Sequence, residues 1–252
     1  MIKIKKPVAG PARLSAGPAL VTAFEREIAQ DPNAGASSKP FKFDQKIYGH
    51  SDVKNALKAA QHDKCCYCEA HISHIAAGHV EHYRPKTCSQ QAKGEQLLYP
   101  GYYWLAYAWL NLYFVCERCN SSGKKNLFPL RDPARRKRRR TDRRIEQPMI
   151  LDPGGAEDPR NHIRFNKAAV VGTSDLGKAT IKALGLDRIA LTTDRLRHLK
   201  KCIAIRDFAK APSSKMDPDT QQRQREARDL LARLAARDAE YSAMVMDLLA
   251  AR

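Results

Sequence analysis

The reading of this chain turns on two cysteine pairs, Cys65-Cys66-Tyr67-Cys68 and Cys116-Glu117-Arg118-Cys119-Asn120. Between them lie Val80-Glu81-His82-Tyr83-Arg84-Pro85-Lys86 and Trp109-Leu110-Asn111-Leu112. A Cys-x-x-Cys turn presents two thiolates about one zinc bond angle apart, and a second turn completes a tetrahedron with Zn–S of about 2.3 Å. Cys65, Cys68, Cys116 and Cys119 are therefore the expected ligands of a structural Zn2+. The chain between the pairs must fold back as a hairpin or inserted unit. Four thiolates close the coordination sphere, so such a zinc holds the fold and performs no chemistry. His71, His74 and His79 crowd the first pair and offer replacement ligands that four thiolates make unnecessary. Cys66, Cys88 and Cys202 are left over and read as ordinary buried thiols.

The 252 residues carry 45 Lys+Arg against 27 Asp+Glu, a formal charge of +18, and 43% are apolar. That apolar share can build a core and excludes a wholly disordered chain. The positive excess favours polyanions, with nucleic acid first among partners and an anionic membrane surface as the rival. Seven cysteines, an odd number, argue against a secreted disulfide framework and for a cytoplasmic protein. Residues 1–6 are basic, but Pro7, Pro11 and Pro18 break the apolar stretch after them, so no signal peptide is expected. Residues 97–116 hold no charge over a length that could span a bilayer. Pro100, Gly101, Asn111 and an abundance of Tyr and Trp mark that stretch as buried protein instead.

Apolar spacing predicts helices over 19–29 and 51–61, the second with Ser51 as its N-cap, and a loop over 33–40. Eight aromatics between Tyr99 and Phe114 read as core more readily than as a base-stacking platform. Residues 135–144 hold eight basic side chains and one Asp, either a solvated loop or a phosphate-tracking surface. Beyond them the chain reads as helical: 175–184 closed by Gly185, then 187–210 capped by Asp187 with Ile189, Leu196, Leu199 and Ile203 on one face. A hinge is expected at 211–214. Asp217-Pro218 opens a final helix with Ala227, Leu230, Leu231, Leu234, Tyr241, Val245 and Leu248 on one stripe. The expected organisation is an N-terminal loop and helix segment (1–60), a core (61–131), a basic linker (132–159) and a helical C-terminal region (160–252).

The order Glu81-His82, Asn111 and Asn120, bracketed by the cysteine pairs, resembles the HNH nuclease family. CCYCE (65–69), EHYRPK (81–86), WLNL (109–112), CERCN (116–120), Lys124-Lys125 and Phe128-Pro129-Leu130 are similar to one branch of it. That branch is the HNH effector of Septu-type and retron-associated anti-phage systems, which acts beside an ATPase. The motifs cover 65–130, and a weaker similarity continues through 150–153 and 180–188. The resemblance implies an α+β fold, with a zinc-stapled ββα-metal core flanked by a mainly helical N-terminal segment and C-terminal region.

It also implies roles. His82 is the general base, Asn111 orients it, and Glu81 with Asn120 binds a catalytic Mg2+ or Mn2+. Neutral imidazole accepts a proton near neutral pH, and carboxylate and amide oxygens suit a hard ion that keeps open positions. Asn120 stands where the best-known members carry His, which favours magnesium or manganese over zinc or nickel. Lys124 or Lys125 contacts the phosphate; the residues do not choose between them. Arg84, Lys86, Lys125, Arg135, Arg136, Lys137, Arg138, Arg139 and Arg140 are expected nucleic-acid contacts.

The implied function is a cytoplasmic, metal-dependent endonuclease hydrolysing double-stranded DNA in anti-phage defence. Its partner is an ATPase of the ABC or SMC-like class, docked through 160–252 within a larger complex, with no membrane involved. The competing class is a non-catalytic zinc module that binds nucleic acid. Glu81-His82 with Asn120 argues against it, because binding alone requires neither a base nor a hard-metal site. DNA and RNA are not separated by these residues, nor is the involvement of a retron RNA.

Overall fold

A computed structural model describes residues 1–73, 76–212 and 217–251. Strand β1 (His79–His82) pairs antiparallel with β2 (Leu112–Val115), setting Glu81 opposite Tyr113 and His82 opposite Leu112. β2 reads Leu-Tyr-Phe-Val, residue types that fill a pleated surface, and all four are buried. One cover is a helix α3 (Ser51–Gln61), whose Val53 and Leu57 are fully buried. The seam is fixed by Gln61, whose Oε1 accepts from Phe114 N (2.8 Å) while Nε2 donates to Phe114 O (2.7 Å). A side-chain amide thus satisfies the backbone groups that a third strand would otherwise take. At the entry to β2, the Lys6 ammonium donates to Trp109 O (2.9 Å), Leu110 O (3.1 Å) and Leu112 O (2.8 Å). It also lies 3.9 Å from the Tyr113 ring, and burial lowers its pKa to about 8.

Beyond β2 the chain passes Cys116 into a wide helical turn, Arg118–Lys124, where Lys125 N bonds Asn120 O at 2.8 Å across five residues. The insertion before β2 is the aromatic run, and Tyr102, Tyr103, Tyr107, Trp109, Tyr113 and Phe114 are all buried. Tyr103 joins Phe24 and Phe41 in a satellite cluster that anchors helix α1 (Gly17–Gln30). These rings are core. The short helix α2 (Gln45–Tyr48) precedes α3, whose N-cap is His50 and not Ser51: the His50 Nδ1 accepts from Asp52 N at 3.2 Å.

The C-terminal region, expected to be mainly helical, also contains a two-stranded sheet. β3 (Ile163–Asn166) and β4 (Ala169–Gly172) form a hairpin around Lys167-Ala168, with Lys167 at φ +54°. Four-residue strands are too short to announce an alternation. Helix α4 (Asp175–Leu184) is capped by Ser174 and closed by Gly185 at φ +57°, where glycine carries no Cβ penalty. Helix α5 (Ile189–Lys210) starts from Arg188 with no side-chain cap, so Asp187 does not serve there. Its buried line is Leu191, Arg195, Leu199 and Cys202, whereas Ile189 is 86% and Leu196 42% exposed. The expected face was rotated because the true stripe contains an arginine.

The expected hinge at 211–214 runs into residues outside those described. Helix α6 (Pro218–Leu234) has Asp217 as its cap, accepting from Thr220 N at 3.0 Å, and Pro218 in its first turn. The final stripe divides after Leu234: Tyr241 takes φ +50° and a separate helix α7 (Ser242–Ala250) packs against β3 and α5. The largest buried apolar cluster runs through Met1, Leu57, Tyr67, Phe114, Phe128, Leu151, Leu184 and Met244. Among the described residues no helix is long and apolar enough to cross a membrane.

Gly177 tests the packing of α4 on the segment that enters β3, because a Cβ there would stand 1.9 Å from His162 O. On an exposed helix, Gly→Ala is stabilising by about 0.5–1 kcal/mol. Here Gly177→Ala is expected to cost about 1–3 kcal/mol in urea unfolding. An unchanged or raised midpoint would contradict the close approach.

Candidate functional site

Cys65, Cys68, Cys116 and Cys119 bring their sulfurs within 4.8 Å of one another, with Cys68 Sγ and Cys116 Sγ 3.9 Å apart. A tetrahedral tetrathiolate with bonds of about 2.3 Å has edges of about 3.8 Å. The four side chains therefore suit a structural zinc. The first knuckle turns through Glu69 at φ +66°, with Glu69 N bonded to Cys65 O (3.1 Å) and Cys65 N to Ala70 O (2.9 Å). His71, whose backbone N–H donates to Glu240 Oε1 (2.9 Å), and the exposed His79 stand outside the cluster. His74 lies outside the described residues. Cys66, Cys88 and Cys202 are buried thiols, and burial pushes each above its ordinary pKa.

A cleft of about 500 Å³ opens at the end of β1, lined by Tyr48, Lys54, Glu81, His82, Lys86, Asn120 and Lys125 among others. His82 is buried, and its Nε2 stands 2.8 Å from Ala106 O. A carbonyl only accepts, so Nε2 carries the proton and the neutral ring keeps Nδ1 as a free acceptor. Tyr48 meets the imidazole edge-on, centroids 4.8 Å apart. Burial, reinforced by the Lys86 charge, lowers the His82 pKa to about 3 and keeps the ring neutral. Burial raises the pKa of Glu81 as well, opposed by the Lys124 ammonium 2.6 Å from Oε1.

Lys124 is fully buried, and its ammonium also donates to His82 O (2.9 Å). It grips the backbone and the carboxylate beneath the cleft and does not line it. Lys125, exposed at φ +45°, does. Asn111 makes no bond to His82. Its Oδ1 accepts from Arg84 N (2.8 Å), and Nδ2 donates to Arg84 O and Leu105 O, both 3.1 Å. Its reach to the imidazole is therefore indirect, through the backbone between Leu105 and Ala106.

The basic residues separate into two groups. Lys86 lies in the cleft wall, 5.0 Å from the Tyr48 ring centroid. Arg84 pairs with Glu146 and covers Tyr102 and Phe128, with ring distances of 5.1 and 5.0 Å, so its guanidinium is bound to the protein. Arg136, expected on the nucleic-acid surface, is buried instead. Its Nε donates to Ser89 Oγ (2.8 Å), and Nη2 donates to Leu98 O (3.1 Å) and Pro100 O. Arg135, Arg138, Arg139 and Arg140 are exposed and Lys137 is half-buried. Sequence reasoning missed Tyr48 and Lys54, supplied by α2 and α3. Neither belongs to a motif, and only tertiary packing brings the N-terminal segment to this wall.

No family model matches the chain. It is 36% identical over 166 residues to the Septu protein PtuB of Bacillus mycoides (strain KBAB4), an alignment covering 65% of this chain and 56% of that protein. The chain thus spans little more than half the length of the curated relative it matches.

The division of the basic run is testable. Arg136→Ala strips buried acceptors of a charged donor and is expected to cost at least about 2 kcal/mol in denaturant unfolding. Arg139→Ala should stay within about 0.5 kcal/mol of the parent. Equal effects would show that Arg136 is not an internal strut.

Proposed function

We propose that this chain is a metal-dependent endonuclease of HNH type that serves a Septu-type anti-phage defence system. The observation that carries the reading is the meeting of Glu81, His82 and Asn120 in one cleft. It joins a buried carboxylate, a neutral imidazole with a free nitrogen and an amide oxygen. The succession of β1, β2 and the helical turn Arg118–Lys124 is compatible with a ββα-metal core. The similarity to a Septu protein supports the defence setting, and the charge of +18 supports a polyanionic substrate, here DNA.

In this reading Glu81 and Asn120 hold Mg2+ or Mn2+, oxygen donors suited to a hard ion. That ion, when bound, supplies charge neutralisation at the phosphate. His82 takes the proton of the attacking water at Nδ1, while the bond from Nε2 to Ala106 O fixes the tautomer and steadies the imidazolium that forms. Burial is the main cause of the depressed His82 pKa and the Lys86 charge the second, and a phosphodiester anion in the cleft offsets that second cause. Lys124 is a positioning residue holding Glu81 and the His82 backbone, and Asn111 positions the segment that carries Ala106. Lys86 and Lys125 are left to meet phosphates, joined by the exposed arginines 135 and 138–140, while the Lys54 ammonium donates to Gly78 O (3.2 Å) in the same wall. The ATPase partner of ABC or SMC-like class docks on the region 160–252.

Supercoiled plasmid incubated with the purified chain and Mg2+ or Mn2+, with and without the ATPase, tests the reading. The parent is expected to nick or linearise the plasmid, and His82→Ala to lose about 10²–10⁴ in rate with DNA affinity unchanged. A parent that binds DNA without cleaving it under either condition would leave only the binding module. Full activity in His82→Ala would remove His82 as the base.

A further inference from the structure

Helix α5 carries an unusual passenger. Arg195 is 1% exposed, and none of the ion pairs among the described residues includes it. Its Nη1 donates to Leu186 O (2.7 Å), its Nε has no partner among the described residues, and its guanidinium lies 5.0 Å from the Phe165 ring. A buried guanidinium with no counter-ion is heavily penalised. The nearby carboxylates are engaged elsewhere: Glu69 with the Met1 ammonium at 2.6 Å, and Asp194 with the Tyr241 hydroxyl at 2.5 Å. Burial lowers the Arg195 pKa, and the charges of Cys68 and Glu69 oppose that shift. A second arginine stands at the start of the same helix. Arg188 places Nη2 3.5 Å from Cys119 Sγ while Nη1 donates to Gly185 O at 2.9 Å.

One Zn2+ held by four thiolates carries a net charge of −2, which is itself costly in a buried site. The half-buried Arg188 guanidinium at Cys119 Sγ supplies opposite charge directly, and the buried, unpaired Arg195 stands about two turns further along the same helix. We infer that Arg188 and Arg195 are the counter-charges of the four-cysteine zinc site, and that they tie the start of α5 to the metal. The inference rests on the zinc reading of Cys65, Cys68, Cys116 and Cys119. Both arginines lie far outside the two cysteine motifs, so the consequence is a coupling between regions. Helix α4 packs on the turn Arg118–Lys124 that follows the second pair, and Leu184 O stands 3.1 Å from the position a Cβ on Gly123 would take. Zinc occupancy and the docking of α4 and α5 therefore stabilise each other, because a ligand that binds only the assembled site stabilises the assembly.

The test is the rate at which the purified, zinc-loaded chain releases zinc to a chromogenic chelator in excess. Arg188→Gln and Arg195→Met are expected to release it at least about tenfold faster than the parent, the scale on which outer partners of a metal site act. Arg188→Lys, which keeps the charge, should recover most of the retention. Arg160→Gln breaks a different half-buried pair, with Asp247, and is the control for general loosening; it should release zinc at the parent rate. Arg188 is only half-buried, so its variant keeps the test decisive should Arg195→Met fail to fold. Parent-like retention in both Arg188→Gln and Arg195→Met would overturn the inference, as would equally fast release from Arg160→Gln. A parent that purifies without zinc would instead refute the four-thiolate site itself.

Discussion

Four cysteine sulfurs converge within 4.8 Å of one another, and the hairpin and the cleft are both held from that point. The hairpin they bracket has strands of four residues each, and so short a pair is marginal alone in water. A link between the cysteine pairs removes much of the closure entropy of the chain between them. It also fixes direction. The first knuckle lies along the outer edge of β2, with Cys66 N bonded to Phe114 O at 3.1 Å, and the second begins directly after β2 ends. The exit of the strand, the wide turn after it and the helix that covers it are thereby held in one arrangement.

From that pin the cleft is assembled by a buried lysine. Lys124 sits at the end of the turn following the second cysteine pair and reaches back to Glu81 and to the backbone of His82. Burying an ammonium and a carboxylate together seldom adds stability over apolar packing. Its value here is placement, since a single side chain sets both neighbouring residues relative to the turn that carries Asn120. The opposite wall comes from the N-terminal segment through Tyr48 and Lys54. The proposed chemistry thus depends on three parts of the chain that share no local motif.

The features legible in the sequence were local or strongly spaced. The two Cys-x-x-Cys pairs, the cap at Asp217 and the stop at Gly185 each involve a few neighbouring residues with a fixed stereochemical need, and all three are found. Features that depend on distant partners escaped. His50 outcompetes Ser51 as a cap because its ring reaches Asp52 N. Arg136 looks like its neighbours in a basic run, yet it is drawn inward by Ser89 and two carbonyls. Arg195 hides the buried line of α5 because no hydropathy pattern counts an arginine as interior. The same limit applies to Asn111, whose amide closes a loop and touches His82 only through backbone.

In the proposed reading Glu81 and Asn120, beside the general base His82, form a hard-metal site distinct from the four cysteines. Manganese binding to the zinc-loaded chain, followed by the loss of the free Mn2+ signal in electron paramagnetic resonance, measures it without relying on turnover. About one Mn2+ per chain is expected to bind beyond the retained zinc. In Glu81→Gln the affinity should fall by at least about tenfold with zinc content unchanged. Absence of Mn2+ binding in the parent, or equal binding by Glu81→Gln, would contradict it.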